Sequence, residues 1–170
     1  EALIANPLVS GQPLLYVVRN QYRPDHHNTE TMFQTGECNT GSYQPGGPLK
    51  TIDFSRDGAT RVVADAGPEG LIRDPDIYFD GKRIVFAMRK DIRDNYHLYE
   101  INADGTGLKA LTSAEGVFDI DPLYLPDDHI LFTSSREPKY CMCNIHIMGN
   151  LYRMEADGAN IHQIGKSTLM

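Results

Sequence analysis

Three cysteines and a histidine are the residues of this 170-residue chain whose types and spacing best fit metal chemistry. Cys141, Cys143 and His146 lie close together, and Cys38 is the remaining cysteine. Thiolate and imidazole groups suit a soft or borderline ion such as zinc, for which Cys38, His26 or His27 would supply the fourth ligand. On extended backbone, the two cysteines of Cys-x-Cys point to the same side. The pattern predicts a zinc site formed by Cys38, Cys141, Cys143 and His146.

Two other interpretations of the cysteines stay open. In an oxidising compartment, Cys38 would form a disulfide with Cys141 or Cys143 and leave one thiol free. Alternatively, all three thiols are reduced, buried and inert. The Cys-x-Cys spacing is tighter than that of common zinc fingers and ribbons. Spacing alone therefore does not choose among the three.

Composition and motif content exclude several classes of function. The net charge of −7 argues against a nucleic-acid partner, because no basic stripe is available to neutralise phosphates. The apolar runs are too short to cross a bilayer, and no signal peptide is visible. The sequence contains no Gly-x-Ser-x-Gly elbow, phosphate loop or His-Glu-x-x-His helix. We therefore expect a globular chain that by itself is not an enzyme.

A repeat organises the chain. Ile84–Phe86 recurs as Ile130–Phe132, and Leu98–Gly105 recurs as Leu151–Gly158. A period of roughly 45 to 50 residues made of short strand-like runs is typical of a β-propeller blade. Little helix is expected, since no window shows a long 3.6-residue periodicity.

Turn signals divide each period into two hairpins. An Asp-Gly pair closes a tight turn, because Asp bonds its local backbone and Gly accepts positive φ. Short strands are predicted at Ile77–Phe79, Arg83–Met88 and His97–Ile101, with a weak outer strand over Gly107–Thr112. The fold class is therefore all-β, a partial propeller of about three four-stranded antiparallel blades with long loop inserts. The turns are Asp57-Gly58, Asp80-Gly81, Asp104-Gly105 and Asp157-Gly158, with Asp127-Asp128 in the matching place.

The period sets the organisation of the chain. Residues 1–70 form a first blade with an insert over 20–48, residues 71–114 a second blade, and residues 115–170 a third blade with a cysteine-containing insert over 137–149. Such inserts usually project from one face, where binding residues tend to lie. Because common propellers have at least about four blades, we expect a segment of a larger propeller, or an oligomer that pairs its open blade edges.

Residues that do not repeat are the better candidates for ligand binding at the channel rim. Arg73, Asp76 and Asp119 precede the innermost strands and occur in only one copy. His26 and His27 lie in the first insert, where they would contact a metal or substrate at the channel mouth. The structural alternative for the two histidines is one imidazole bonded to the backbone and one solvated.

Repeated residues indicate structural roles. Asp74 recurs as Asp121, each before a proline, and an Asp in this position satisfies loop amides. Arg89 and Arg136 end equivalent strands, with Arg19 as a third copy. We expect these arginines to form ion pairs or to bind backbone carbonyls.

The second copy resembles a known repeat. Asp80–Phe86, His97–Gly107 and Leu111-Thr112 are similar to the TolB-type propeller repeat, which reads as a DGK-type turn, an apolar strand, an Ile-Tyr strand, a DG turn and Leu-Thr. The match covers residues 71–114 and recurs more loosely over 115–168. The resemblance implies an extracytoplasmic scaffold or binding module, periplasmic or secreted, whose partner is another protein or the remainder of a longer chain.

A narrower resemblance concerns the inserts. His26–Glu37 and Glu137–Asn144 resemble large bacterial secreted proteins related to the hydrazine synthase alpha subunit, in which a propeller often accompanies a c-type haem domain. This chain contains no Cys-x-x-Cys-His, so it carries no haem attachment motif. The resemblance implies, as the alternative function, a propeller domain or subunit of a metal- or haem-dependent enzyme. A polysaccharide lyase belongs to the same alternative, with His26, His27, His146 and His162 as the residues to test.

Overall fold

Three antiparallel sheets follow one another along the chain. The computed structural model describes residues 5–20, 43–140 and 147–165, and for residues 140 and 147 it describes the backbone alone. Sheet 1 has the strand order β1-β2-β3, sheet 2 the order β4-β5-β6-β7 and sheet 3 the order β11-β10-β9-β8. The strands are β1 Leu14–Val17, β2 Leu49–Asp53, β3 Ala59–Ala64, β4 Leu71–Ile77, β5 Arg83–Arg89, β6 His97–Asn102, β7 Lys109–Ala110, β8 Asp119–Tyr124, β9 His129–Tyr140, β10 Ile147–Glu155 and β11 His162–Gln163.

The prediction of an all-β fold with little helix is confirmed. In the described part of the chain, helix is limited to the four-residue α1, Pro7–Ser10, and a 3-10 turn at Phe54–Arg56. Sheets 2 and 3 have four strands each and sheet 1 has three. Each sheet is a meander of neighbouring antiparallel strands, as in a propeller blade.

The predicted turn chemistry is confirmed. The backbone takes positive φ at Gly58, Gly81, Gly105 and Gly158, the second position of each Asp-Gly pair. Asp128 replaces glycine at the matching place and has a φ of 62°. In three of the four pairs the aspartate accepts a backbone hydrogen bond two residues on, as in Asp80 Oδ1 from Lys82 N at 2.8 Å, whereas in the first hairpin Asp53 Oδ1 accepts from Ser55 N at 2.9 Å. The local sequence therefore fixes both hairpins of each repeat.

The predicted start of the innermost strand was wrong. The segment with Asp74-Pro75 lies inside β4, and the segment with Asp121-Pro122 lies inside β8, rather than before the strand. Asp74 and Asp121 each have a φ of 51°, and the pairing register shifts at both points, so each Asp-Pro forms a bulge. A bulge admits proline because the extra residue makes no ladder hydrogen bond. The strand predicted over Ile77–Phe79 consequently ends at Ile77.

The outer strands and the third insert also differ from expectation. The predicted strand over Gly107–Thr112 is reduced to β7, Lys109–Ala110. Gly107 has a φ of 72°, a value that interrupts a regular strand. β9 continues to Tyr140 and β10 begins at Ile147, so both edges of the 137–149 insert extend one hairpin.

Two apolar cores lie between successive sheets. Phe86 and Tyr99 stack 6.1 Å apart in the core between sheets 1 and 2, together with Leu49 and Ile84. Their repeat counterparts Phe132 and Tyr152 lie 6.0 Å apart in the core between sheets 2 and 3. Because side chains alternate along a strand, sheet 2 contributes one face to each core. Sheet 2 is thus covered on both sides.

Candidate functional site

The two predicted inserts begin and end at the same end of the sheets. β1, β5 and β9 occupy equivalent places, so the connections that follow them leave from one common edge. At the base of the first insert, Asn20 Nδ2 donates to Pro45 O at 2.7 Å. We call this edge the insert end.

The residues predicted to bind metal lie outside the described residues. These are Cys38, Cys141, Cys143 and His146, together with His26 and His27. Within residues 5–20, 43–140 and 147–165, no group of three His, Cys, Asp or Glu residues is arranged to hold a metal ion. The zinc site and the histidine contacts stay predictions.

A carboxyl pair joins the inner strands of sheets 2 and 3. The two Asp-Pro bulges bring Asp74 of β4 and Asp121 of β8 into hydrogen-bond contact. Partial removal from water raises the pKa of Asp121 to about 6, and the charge of Asp74 and the bond between the two carboxyl groups add to this effect. The Arg73 guanidinium acts in the opposite direction and forms an ion pair with Asp74. One proton shared by two carboxyl groups avoids repulsion at this junction.

The predicted rim residues make structural contacts. Arg73 is buried, with its guanidinium carbon 5.6 Å from the centre of the Tyr96 ring. Asp119 is completely buried and forms an ion pair with Arg136. Asp76 Oδ2 accepts a hydrogen bond from Tyr124 N at 2.8 Å, a link between two inner strands. Ligand binding by Arg73, Asp76 and Asp119 stays a prediction.

The structural role predicted for Arg89 and Arg136 is confirmed, although β9 continues past Arg136 to Tyr140, so that only Arg89 ends its strand. Arg89 is 2% exposed and donates to the carbonyl oxygens of Asp91 at 3.0 Å and Ile92 at 2.6 Å. Its guanidinium also lies 4.6 Å from the centre of the Tyr43 ring. Arg136 pairs with Asp119 and donates to Ser134 Oγ at 2.7 Å. Both arginines thereby anchor segments at the insert end.

Opposite the insert end, a polar network fills the junction between sheets 2 and 3. The Tyr124 hydroxyl donates to Glu100 Oε1 at 2.7 Å, and Lys109 Nζ lies 2.8 Å from Glu100 Oε2. Arg83 donates to Asp128 Oδ1 at 2.8 Å and stacks 4.0 Å above the Tyr78 ring. Burial, and then the bond to Glu100, raise the pKa of the Tyr124 hydroxyl, which therefore stays protonated and donates. Sequence analysis missed this network because its members lie in the four strands β5 to β8 and in the turns before β5 and β9, which are far apart in the sequence.

The corresponding junction between sheets 1 and 2 contains an open groove of about 660 Å³. Leu15, Ile77 and Ile84 form apolar walls, and Phe79 at its edge is 69% exposed. Thr51, Asp53, Arg61 and Gly81 also line it. We call this space the inter-sheet groove.

Strand register shows that the inter-sheet groove is the counterpart of the network. Ile77 pairs with Ile84 as Tyr124 pairs with Ile130 in the next repeat. In sheet 1, Thr51 pairs with Leu15 and Arg61. In sheet 2, Glu100 pairs with Val85 and Lys109. In the inter-sheet groove, smaller residues therefore occupy the positions of the network residues. Thr51 replaces Glu100, Ile77 replaces Tyr124 and Gly81 replaces Asp128.

Solved structures confirm the predicted TolB-like propeller fold. A TolB structure from Agrobacterium tumefaciens matches 69% of this chain and 40% of its own, with a TM-score of 0.53 and 19% identity. Kuenenia stuttgartiensis hydrazine synthase matches 83% of this chain and 20% of its own, with a TM-score of 0.58 and 18% identity. An oligogalacturonate lyase from Vibrio parahaemolyticus matches 91% of this chain and 50% of its own, with a TM-score of 0.51 and 14% identity. The chain thus spans half or less of each of these proteins.

Sequence comparisons add no family. No protein-family model matches the chain, and no curated protein is similar to it in sequence. At the identities found among the solved structures, the likeness shows the fold alone. Among the described helices, none has the length and apolar character needed to span a bilayer.

Proposed function

We propose that the chain is an assembly and binding module within a larger TolB-like propeller, with partners bound through its outer sheets and its insert end. One observation carries this proposal. Leu98 of sheet 2 is completely buried, whereas Leu151, its repeat counterpart in sheet 3, is 48% exposed. Leu123 and Ile164 of the same region are 48% and 50% exposed. An apolar face that is covered in one repeat and open in the next fits a further blade.

The free edge of sheet 1 supports the same proposal. β5 and β9 each have a strand on both sides, whereas in the described chain β1 pairs only with β2. The N–H of Val18, directly after β1, points toward β2 and donates to Pro48 O at 3.2 Å. Because N–H groups alternate in direction along a strand, those of Leu15 and Val17 point to the open edge. An exposed edge of this kind is a template for another strand.

Light scattering of the purified chain tests the assembly proposal. The wild-type chain is expected to show a mass above 19.0 kDa that increases with concentration. Leu151→Lys places a charge on the proposed blade contact and should reduce this association. Leu108→Lys is the matched control, since Leu108 is also 48% exposed but lies directly before β7, outside sheet 3. A wild-type chain that stays monomeric at every concentration would count against assembly through these surfaces.

A zinc site that joins the two inserts is part of the proposal. Cys38, Cys141, Cys143 and His146 are the proposed ligands, and a closed four-ligand site would have a structural role. Metal analysis should find about one zinc per chain. Cys143→Ser should lower both the zinc content and the melting temperature. An unchanged melting curve in chelator, together with a shift in reductant, would instead identify the disulfide.

The second candidate function is that of a domain in a larger redox or lyase enzyme. The observation that favours it is the match to hydrazine synthase, which includes 83% of this chain but only 20% of that one. Under this proposal His26, His27 and His146 contact a substrate or an open metal site. Turnover of a defined substrate by the purified chain, lost in His26→Ala or His146→Ala, would favour this function over the assembly module.

An extracytoplasmic location, periplasmic or secreted, completes the proposal. Its support is the likeness in fold to a TolB protein, together with the cysteine pattern, which an oxidising compartment would accommodate. Fractionation of the native cells with an antibody against this chain tests it. Recovery of the chain in the cytoplasmic fraction alone would contradict this location.

A further inference from the structure

We propose that the inter-sheet groove is a binding site for a phenolic ring, the side chain of a tyrosine that a polypeptide partner supplies. This site lies away from the insert end and from the exposed face of sheet 3. The inference is therefore independent of the assembly and zinc proposals.

The molecule contains a filled version of the same site. Between sheets 2 and 3, the ring of Tyr124 occupies the junction, and its hydroxyl donates to Glu100 at 2.7 Å. Between sheets 1 and 2, Ile77 and Thr51 take the two equivalent positions. The two junctions therefore share the same strand pairing, but this repeat has no aromatic side chain at the position of Tyr124.

The walls of the groove suit the proposed ligand. Leu15, Ile77 and Ile84 supply apolar contact, and the exposed Phe79 ring lies at the edge of the groove. Thr51 supplies a hydroxyl, which can both donate to and accept from a phenol. A volume of about 660 Å³ lies within the usual range of small-molecule sites.

Space at the mouth of the groove supports the same ligand. Gly81 stands where Asp128 stands in the filled junction, and an added Cβ at Gly81 would meet no atom within 4 Å. The counterpart Asp128 carboxylate instead binds Arg83 at 2.8 Å. Ile77, 42% exposed, and Phe79 therefore form an accessible apolar entrance. Burial of these two side chains by a ring would be favourable.

The probe is 4-methylphenol, which is the tyrosine side chain as a free molecule. In a titration followed by NMR of the backbone amides, saturable shifts are expected at Thr51, Gly81 and Ile84. Ile77→Tyr supplies the missing ring and should weaken binding roughly tenfold or more, as direct competition requires. Leu108→Tyr adds the same ring at an exposed position directly before β7, outside the groove, and should leave binding unchanged.

A second comparison tests the hydroxyl group. Toluene has the same ring without the hydroxyl and should bind roughly three- to tenfold more weakly than 4-methylphenol, as expected for one hydrogen bond. Thr51→Val, which keeps the shape of the side chain, should abolish this preference. N-acetyltyrosine amide tests the source of the ring: tighter binding than 4-methylphenol supports a tyrosine of a polypeptide, and weaker binding would contradict it in favour of a free phenol.

Two further results would overturn the inference. One is the absence of saturable shifts at the groove residues up to the solubility of 4-methylphenol. The other is equal affinity for toluene and 4-methylphenol in the wild-type chain. The second comparison needs only the wild-type protein and Thr51→Val, so it holds even if Ile77→Tyr does not fold.

Discussion

The two junctions of the molecule share a backbone plan and differ in what fills them. Between sheets 2 and 3, Tyr124, Glu100 and Arg83 form a buried network of rings and charges. Between sheets 1 and 2, the equivalent space is an open groove. There, Arg61 donates to the carbonyl oxygens of Ala103 at 2.6 Å and Asp104 at 2.9 Å. One junction is therefore specified by side-chain partners and the other by apolar packing and backbone acceptors.

This difference separates what a repeat preserves from what it leaves free. Turn geometry and apolar strand positions recur in both junctions because every blade must close its hairpins and cover its faces. The polar side chains differ between the two junctions. A buried polar group needs a hydrogen-bond partner, but the fold does not require the same polar group in every repeat. A groove can thus arise in one copy without loss of the blade itself.

The largest effect is expected from removal of the equivalent phenylalanine ring in either core. Phe86→Ala and Phe132→Ala each delete a ring that is at most 1% exposed. Each should lower the free energy of unfolding by about 3–5 kcal/mol, measured by urea denaturation. A much smaller loss for Phe86→Ala alone would show that the groove lets its junction collapse around the cavity, and the comparison would have to be revised.

A smaller effect is expected from loss of the Tyr124 hydroxyl. Tyr124→Phe removes the shorter of the two hydrogen bonds to the buried Glu100 Oε1, leaving only Arg83 Nη1 at 3.5 Å, and should cost about 1–3 kcal/mol. The matched change in the other junction is Ile77→Phe, which adds a ring without a hydroxyl to the groove. Since no buried donor or acceptor is lost there, stability should change by less than about 0.5 kcal/mol. Equal costs for the two variants would remove the distinction between the junctions.

The smallest effect concerns pH. The pKa of Asp121 is about 6 in the folded chain, compared with an ordinary value of 3.8. Between these two pH values the folded chain therefore binds a proton that the unfolded chain has lost. Its contribution to stability is full below about pH 4 and is lost as the pH rises through 6. Asp121→Asn should remove this fall, with a difference from wild type of about 1 kcal/mol or less because solvent screens the site.

Denaturation curves between pH 4 and pH 7 measure this difference. Asp80→Asn is a suitable control, since Asp80 is an exposed turn residue outside the carboxyl pair. An unchanged pH profile in Asp121→Asn would show that Asp74 and Asp121 do not share a proton. The effect is specific to one junction, because no inner strand precedes β1 in the described part of the chain.

Local signals were sufficient to predict much of the fold. The Asp-Gly pairs located the hairpins, and the recurrence of Ile84–Phe86 as Ile130–Phe132 identified two equivalent central strands. The inner strands were placed too late, because Asp-Pro was interpreted as a turn before the strand instead of a bulge within it. A proline is compatible with both, and only the pairing of the neighbouring strand separates them.

The sequence by itself determined the repeat, the all-β class and the structural roles of Arg89 and Arg136, since these depend on short-range chemistry that recurs at a fixed period. The tertiary structure decided the pairing of Asp74 with Asp121 and the contrast between network and groove. Both depend on which side chains of successive blades face each other. Thr51 and Ile77 belong to different sheets, and only packing of the sheets shows that they line one space where Glu100 and Tyr124 meet in the next repeat.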